Sequence, residues 1–211
     1  MRISVNRPIL WASFATAILG ATVVVVADPA AAAQAPVGLG TAGSFAVLAG
    51  AGVTNTGPTA ISGNLGTCPT PAVTGFPPGV VTGGTIHAAD ATACGAQSDL
   101  TTAYNDAAGR APSTTYSGPT NLGGTTLVAG VYRSPSSLSV TGTLTLDGQG
   151  DGNSVFIFQA GSTLITAPNS HVSFVNGSQA CNVFWKIGSS ATLGVGSTMA
   201  GTVLALTSIT A

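Results

Sequence analysis

Two stretches decide how this chain folds: "SVFIFQAGSTLITA", Ser154 to Ala167, and "NVFWKIGSSATLGV", Asn182 to Val195. They start 28 residues apart and share one plan: an apolar run, a glycine, then a Ser/Thr-bearing run. A shorter third copy, "TVLALTSITA", begins at Thr202. Upstream, "GVYRSPSSLSVTG" from Gly130 and "SFAVLAGAGVTNTG" from Ser44 repeat the plan, and "SHVSFVNG" from Ser170 supplies a third strand to one copy. A loose repeat of this length with glycine-marked corners predicts a β-solenoid, in which each coil buries its apolar face only by stacking on its neighbours.

The two runs of each copy carry different information. In "VFIF" consecutive residues are apolar, so both faces of that strand need cover. In "STLITA" and "SATLGV" side chains alternate: Leu164 and Leu193 are assigned to the interior, Thr163 and Thr192 to solvent. One segment stands apart. In "HAADATACGAQSDLTTAYNDAAGRAP" the residues Ala89, Ala93, Ala96, Leu100, Ala103 and Ala107 recur at helical spacing. They predict a helix over about 88–109, to within a few residues at either end, with Asp90 in its first turn, Arg110 at its end and Pro112 stopping it. Its narrow alanine stripe suits close packing on the outer face of the doubly apolar strands.

Composition sets the chemistry. Charged residues make up 5% of the 211, against roughly 25% in an ordinary globular protein. The formal net charge is −1, so the basic footprint of a nucleic-acid binder is missing. The chain begins with Arg2 and Arg7, then "WASFATAILGATVVVV", then "ADPAAAAQA". This is the layout of an export signal, residues 1–33, with cleavage after Ala33, leaving one domain over 34–211 and no membrane association after removal. Export permits disulfides, and Cys68 and Cys94 flank one segment as the expected pair. Cys181 is then left over, either as a small buried hydrophobe or with a partner beyond the chain. No cysteine spacing matches a zinc site, and His87 and His171 look isolated.

Catalytic motifs are thin. "GLGTAG", Gly38 to Gly43, matches a dinucleotide fingerprint in letters, but no strand precedes it and no helix follows, so it reads as a flexible lead-in. "LDGQGDGN", Leu146 to Asn153, lacks the closing Glu of a calcium loop and reads as a glycine-rich turn. The carboxylates beyond residue 33 are Asp90, Asp99, Asp106, Asp147 and Asp151; three fall on the predicted helix and two in one turn. Neither a hydrolytic carboxylate pair nor a triad is visible. "NGS" at Asn176 matches an N-glycosylation sequon. No cofactor or metal is expected, and the chain reads as a non-enzyme.

What remains is a Ser/Thr face. Stacked coils repeat about every 4.7–4.9 Å, and outward residues two apart along a strand lie about 6.6 Å apart. The candidate positions are Thr54, Thr56, Ser137, Ser139, Thr141, Thr163, Ile165, Thr192, Ser208 and Thr210. Threonine suits such an array because its methyl and hydroxyl share one stiff β-branched carbon.

With these segments in view, the chain resembles the bacterial and fungal ice-binding (antifreeze) proteins of the DUF3494 type. The resemblance is carried by "LGTAGSFAVLAGAGVTNTGPTAISGNLG", "GFPPG", "AQSDLTTAYNDAAGR", "LVAGVY", "NSVFIFQAGSTL", "ACNVFW" and "GSSATLG", in the family's order. It implies a right-handed, three-faced β-solenoid with one long helix alongside, acting as a monomer. The implied partner is the ordered water of an ice surface, whose oxygen repeats are close to the strand spacings. The implied effect is inhibition of recrystallisation or depression of the freezing point. The family's loose T-x-x-T/N pattern is matched by "TLIT" at Thr163 and "TSIT" at Thr207, whereas "TLGV" at Thr192 and "SLSV" at Ser137 depart from it, and Ile165 and Gly194 stand where a hydroxyl is expected. Family members continue past "ALTSITA" with another coil, so a coil is expected to be missing after Ala211. The competing readings are a structural or adhesive cell-surface module built on the same solenoid, and a carbohydrate-active β-helix.

Overall fold

The computed structural model describes residues 34–211, and the expected export signal lies outside the described residues. The chain winds in coils, each turn laying down up to three short strands that pair in parallel with the turn before. The first turn holds β1 (Phe45–Ala49), β2 (Val53–Thr54) and β3 (Ala60–Ser62). The second holds β4 (Asn64–Thr67), β5 (Val73–Thr74) and β6 (Val80–Thr82), and β7 (Ile86–Ala88) leads into the helix α1 (Ala91–Gly109). These coils give three small parallel sheets, β1-β4-β7, β2-β5 and β3-β6.

Coiling resumes after α1. The next turn holds β8 (Thr114–Thr115), β9 (Thr120–Asn121) and β10 (Thr126–Val128); then come β11 (Gly130–Ser134), β12 (Leu138–Val140) and β13 (Thr143–Asp147). The following turn has β14 (Phe156–Ala160), β15 (Leu164–Thr166) and β16 (His171–Val175). The last two have β17 (Val183–Ile187) and β18 (Ser190–Thr192), then β19 (Thr202–Ala205) and β20 (Ser208–Thr210). Three parallel sheets result, in the orders β19-β17-β14-β11-β8, β20-β18-β15-β12-β9 and β10-β13-β16. The repeat read from the sequence is therefore structural: Phe158 stands over Trp185, and Leu164 over Ala191.

In-register stacking places like on like in the interior. Tyr132, Phe158 and Trp185 form an aromatic ladder, with ring centroids 5.5 and 4.1 Å apart. Each stacked pair adds about 0.5–1.5 kcal/mol beyond its area burial. The polar tips are accommodated: Trp185 Nε1 donates to Ala200 O at 3.0 Å and the Tyr132 hydroxyl to Val128 O at 2.7 Å. Burial pushes the Tyr132 phenol up to about 12. Leu138, Leu144, Leu146 and Leu164 complete the interior. At one corner the backbones of successive coils touch: a Cβ on Gly161 would overlap Pro135 O, and one on Gly188 would overlap Gly161 O. Glycine is required there by close approach.

The strands read as apolar on both faces are covered on both. The inward Phe156 and Phe158 and the outward Ile157 are all fully buried. The outer cover is α1, whose Ala103 and Ala107 pack with Val131, Ile157, Phe184 and Leu204. Burying side chains of this size stabilises by about 1.5–3 kcal/mol each. The helix starts later than the spacing predicts. Asp90 lies before the first turn, as N-cap, accepting a 2.8 Å bond from Ala93 N–H, and Ala89 has φ +53° and is not helical. A capping oxygen satisfies a donor that the first turn otherwise leaves open, and it wins over alanine periodicity in setting the start.

Cys68 and Cys94 form the expected disulfide. Cys181 is exposed, which corrects the buried alternative. The "GLGTAG" segment is not a loose lead-in either: Gly40–Ser44 is a 3-10 turn, and the Asp99 carboxylate of α1 accepts from Thr41 N–H at 2.7 Å and Thr41 O–H at 2.6 Å. Those two bonds hold Asp99 below the usual carboxylate range. No helix among the described residues is long and apolar enough to cross a membrane.

Candidate functional site

The sheet β20-β18-β15-β12-β9 carries the candidate face. Its strands are three residues or fewer, so each contributes little, and the register does the assembling. Asn121, Ser139, Ile165, Thr192 and Thr210 are successive partners across it and form one outward column. The alternate positions Leu138, Leu164 and Ala191 are fully buried beneath. Four strand spacings make this column about 19 Å long. Two residues back along β12, β15, β18 and β20 runs a second column. Ser190 and Ser208 are partners in it, with hydroxyls 3.0 Å apart, and Ser137 and Thr163 precede β12 and β15 at the equivalent place, half-buried. Neither column contains an ionisable side chain.

The structure thus brings Ser137, Ser139, Thr163, Ile165, Thr192, Ser208 and Thr210 onto one sheet. Thr141 is exposed one residue past β12. Thr54 is not in this sheet: it pairs with Thr74 in β2-β5, their hydroxyls 3.3 Å apart, and Thr56 is exposed beyond the strand end. Two members were missed. Asn121 escaped because β9 is only two residues long and has no apolar run to announce it. Ser190 was legible, since it stands two before Thr192. The T-x-x-T reading of "TLIT" is corrected at its last position. Thr166 is buried, its hydroxyl bonded to Ser197 Oγ at 3.1 Å and accepting from Gly194 N–H at 2.9 Å. Leu193 lies past the end of β18 and is half-buried, so Ala191 fills the interior place assigned to it.

Elsewhere on the described surface the carboxylates are tied into structure. Asp147 Oδ1 accepts from Gln149 N–H at 2.8 Å and from Asn176 Nδ2 at 2.9 Å, while Asp151 Oδ1 accepts from Asn153 N–H at 2.8 Å. These bonds knit the glycine-rich turn and lower the Asp147 pKa. Asp106 forms a two-pronged pair with Arg110, at 2.7 and 2.9 Å, and that guanidinium lowers its pKa.

His87 is not isolated, contrary to the reading of the sequence. Its Nε2 is bonded to the Thr85 hydroxyl at 2.9 Å and its Nδ1 to Asp90 Oδ2 at 2.6 Å, and Phe45 packs edge-on against the ring. Hydroxyl, imidazole and carboxylate stand in line, but the other Asp90 oxygen caps α1, and that cap is the largest cause of the lowered Asp90 pKa. The line clasps β7 to the start of the helix. His171 is bonded through Nε2 to the Thr143 hydroxyl at 2.8 Å. Among the described residues no three His, Cys, Asp or Glu side chains gather as metal ligands.

Comparison with known proteins agrees with this architecture. A family model described as Ice-binding-like matches residues 47–211. A protein of Nostoc sp. (strain HG1) described as an ice-binding protein is 53% identical over 172 residues, covering 82% of this chain and 63% of that protein. The chain therefore spans less than two thirds of that relative's length. The crystal structure of an ice-binding protein from an Antarctic biological consortium superposes with a TM-score of 0.80 at 48% identity, covering 84% of this chain and 80% of the other. That of an ice-binding protein from the Antarctic ascomycete Antarctomyces psychrotrophicus gives 0.78 at 44% identity, covering 81% and 83%.

Proposed function

We propose that this chain, which belongs to the Ice-binding-like family, adsorbs to ice through the sheet β20-β18-β15-β12-β9 and thereby restrains ice growth, as an exported monomer without turnover or cofactor. The observation that carries the reading is the in-register outward column Asn121–Ser139–Ile165–Thr192–Thr210, with a second column of hydroxyls beside it. Hydroxyls and methyls about 4.8 Å apart in one direction and about 6.6 Å in the other form a rigid lattice. Water held on such a lattice is spaced nearly as it is on a face of ice. Rigidity matters because ordering flexible side chains at contact costs free energy that a buried, stacked backbone has already lost on folding. The lack of charge matters as well, since an ionised group organises water around itself rather than along the lattice.

Ile165 fits this account as a flat apolar step in the column, half exposed at 49%. It supplies a methyl surface but no hydrogen bond, so moderate activity is expected. The support for export is the layout of residues 1–33 together with the disulfide. The test is to grow ice in the purified protein. Faceted crystals and arrested recrystallisation are expected. Unshaped crystals that coarsen as in buffer would reject ice adsorption and favour a structural surface module.

A further inference from the structure

On the helix-covered sheet, outward rows run across the strands. The row Val131–Ile157–Phe184 is apolar and sealed beneath α1. Two residues further along the strands the partners are Arg133, Gln159 and Lys186. A cavity of about 160 Å³ opens over this row, beside Ala108 near the end of the helix and Gly161 at the coil corner.

The cations are out of keeping with the rest of the molecule. The chain has five Lys and Arg residues. Arg2 and Arg7 lie outside the described residues, and Arg110 is paired with Asp106. The other two line this one cavity, and neither has a carboxylate partner among the described residues. Strand spacing sets their backbones about 9.6 Å apart, within reach of two long side chains converging over Gln159. Lys186 Nζ rests 5.1 Å from the centroid of the Tyr104 ring, an attraction that holds an ammonium in place without neutralising it.

Gln159 is nearly buried, and its amide is fixed: Nε2 donates to Ala107 O at 2.8 Å and to Arg110 O at 2.9 Å. Both amide hydrogens are thereby spent on the helix end. Oε1 remains as an acceptor with no protein donor bonded to it among the described residues. The cavity is therefore lined by two cationic residues without carboxylate partners, on either side of a glutamine whose amide is fixed.

We propose that this cavity binds a small hydroxylated oxyanion, a sugar acid or a sugar phosphate, with the oxyanion held between Arg133 and Lys186 and a hydroxyl donated to Gln159 Oε1. The guanidinium fork matches the geometry of a carboxylate or phosphate, and the ammonium adds a point charge. The site uses strands β11, β14 and β17 and no residue of the two Ser/Thr columns, so it stands or falls independently of ice adsorption.

Calorimetric titration of the purified protein with glucuronate, glucose 6-phosphate, inorganic phosphate and glucose tests it. Saturable binding is expected for glucuronate or glucose 6-phosphate, and the stronger of the two identifies the source of the oxyanion. Inorganic phosphate should bind more weakly because it cannot satisfy both ends of the site, and glucose should not bind. The double variant Arg133→Ala/Lys186→Met keeps the apolar stem over Tyr104, and its thermal melt should match the unmodified protein. Its affinity should fall at least about tenfold, and binding to the unmodified protein should weaken as salt is raised. Absence of saturable binding by either sugar anion, or equal affinity in the folded double variant, would overturn the proposal.

Discussion

Thr192→Tyr is the sharpest probe of the ice-facing sheet. Thr192 is exposed, lies between Ile165 and Thr210 in one column, and its own strand carries Ser190 of the other. A phenol there stands well above the plane and spans more than one coil spacing. It lifts the surface away from contact at Thr192 itself, Thr210, Ser190 and Ser208. If each hydroxyl contributes the net worth of an ordinary hydrogen bond, about 0.5–1.5 kcal/mol, the four together are worth about 2–6 kcal/mol. The lower bound already corresponds to about a 30-fold loss in adsorption equilibrium. The fold should not register the change, because exposed substitutions fall within about 0.5 kcal/mol, or about 2 °C in Tm for a chain of this size. The assay is a dilution series read as the lowest concentration that arrests ice recrystallisation, with a thermal melt beside it. Thr145→Tyr, on the β10-β13-β16 sheet, serves as the control of equal bulk. An endpoint for Thr192→Tyr within twofold of the unmodified protein, or an equal loss in Thr145→Tyr, refutes the assignment of the face.

Ile165→Thr completes the hydroxyl column and should lower the effective concentration in the same assay, with little change in the melt. Trp185→Ala removes the largest fully buried side chain and breaks the aromatic ladder; a cost of about 3–5 kcal/mol is expected, seen as a Tm lower by about 6–20 °C. Reducing the Cys68–Cys94 bridge, or replacing both cysteines by serine, should cost about 2–5 kcal/mol by thermal or chemical unfolding. Acid should destabilise the fold through Asp90, Asp99, Asp106 and Asp147, all held below their ordinary value of 3.8. Below 3.8 the unfolded chain takes up protons that the folded carboxylates still refuse, so folding stability falls as the pH drops through their folded values. Melts should be level from about pH 5 to 7 and decline below about pH 4; a level melt down to pH 2 contradicts this.

Much of the architecture was legible because stacking writes itself into the sequence. "VFIFQA" and "VFWKI" can be aligned by eye, and the fold pairs β14 with β17 residue for residue. Alanine at helical spacing announced α1, and the two cysteines flanking one segment announced the bridge. The exact start of α1 was not legible because Ala88 and Ala89 continue the alanine run in letters while the backbone at Ala89 has turned out of the helix. The His87 clasp was invisible for a related reason. A Thr85–His87–Asp90 line depends on that same turn, and spacing along the chain does not give a turn's direction.

Residue order alone shows that the chain coils, which strands need cover on both faces, what provides that cover, and that the outward positions of one strand type are uncharged. These follow from local alternation and from a repeat, both properties of the chain's order. Which hydroxyls share a plane is set by the folded chain. It placed Asn121 and Ser190 in the columns, set Thr54 in a separate small sheet, and turned Thr166 inward onto Ser197. It also brought Arg133 and Lys186, 53 residues apart in the chain, to one cavity. Register between coils fixes all of these. It is set by how the interior ladders interlock and where the corners bend, and a slip of one residue would send every outward side chain in.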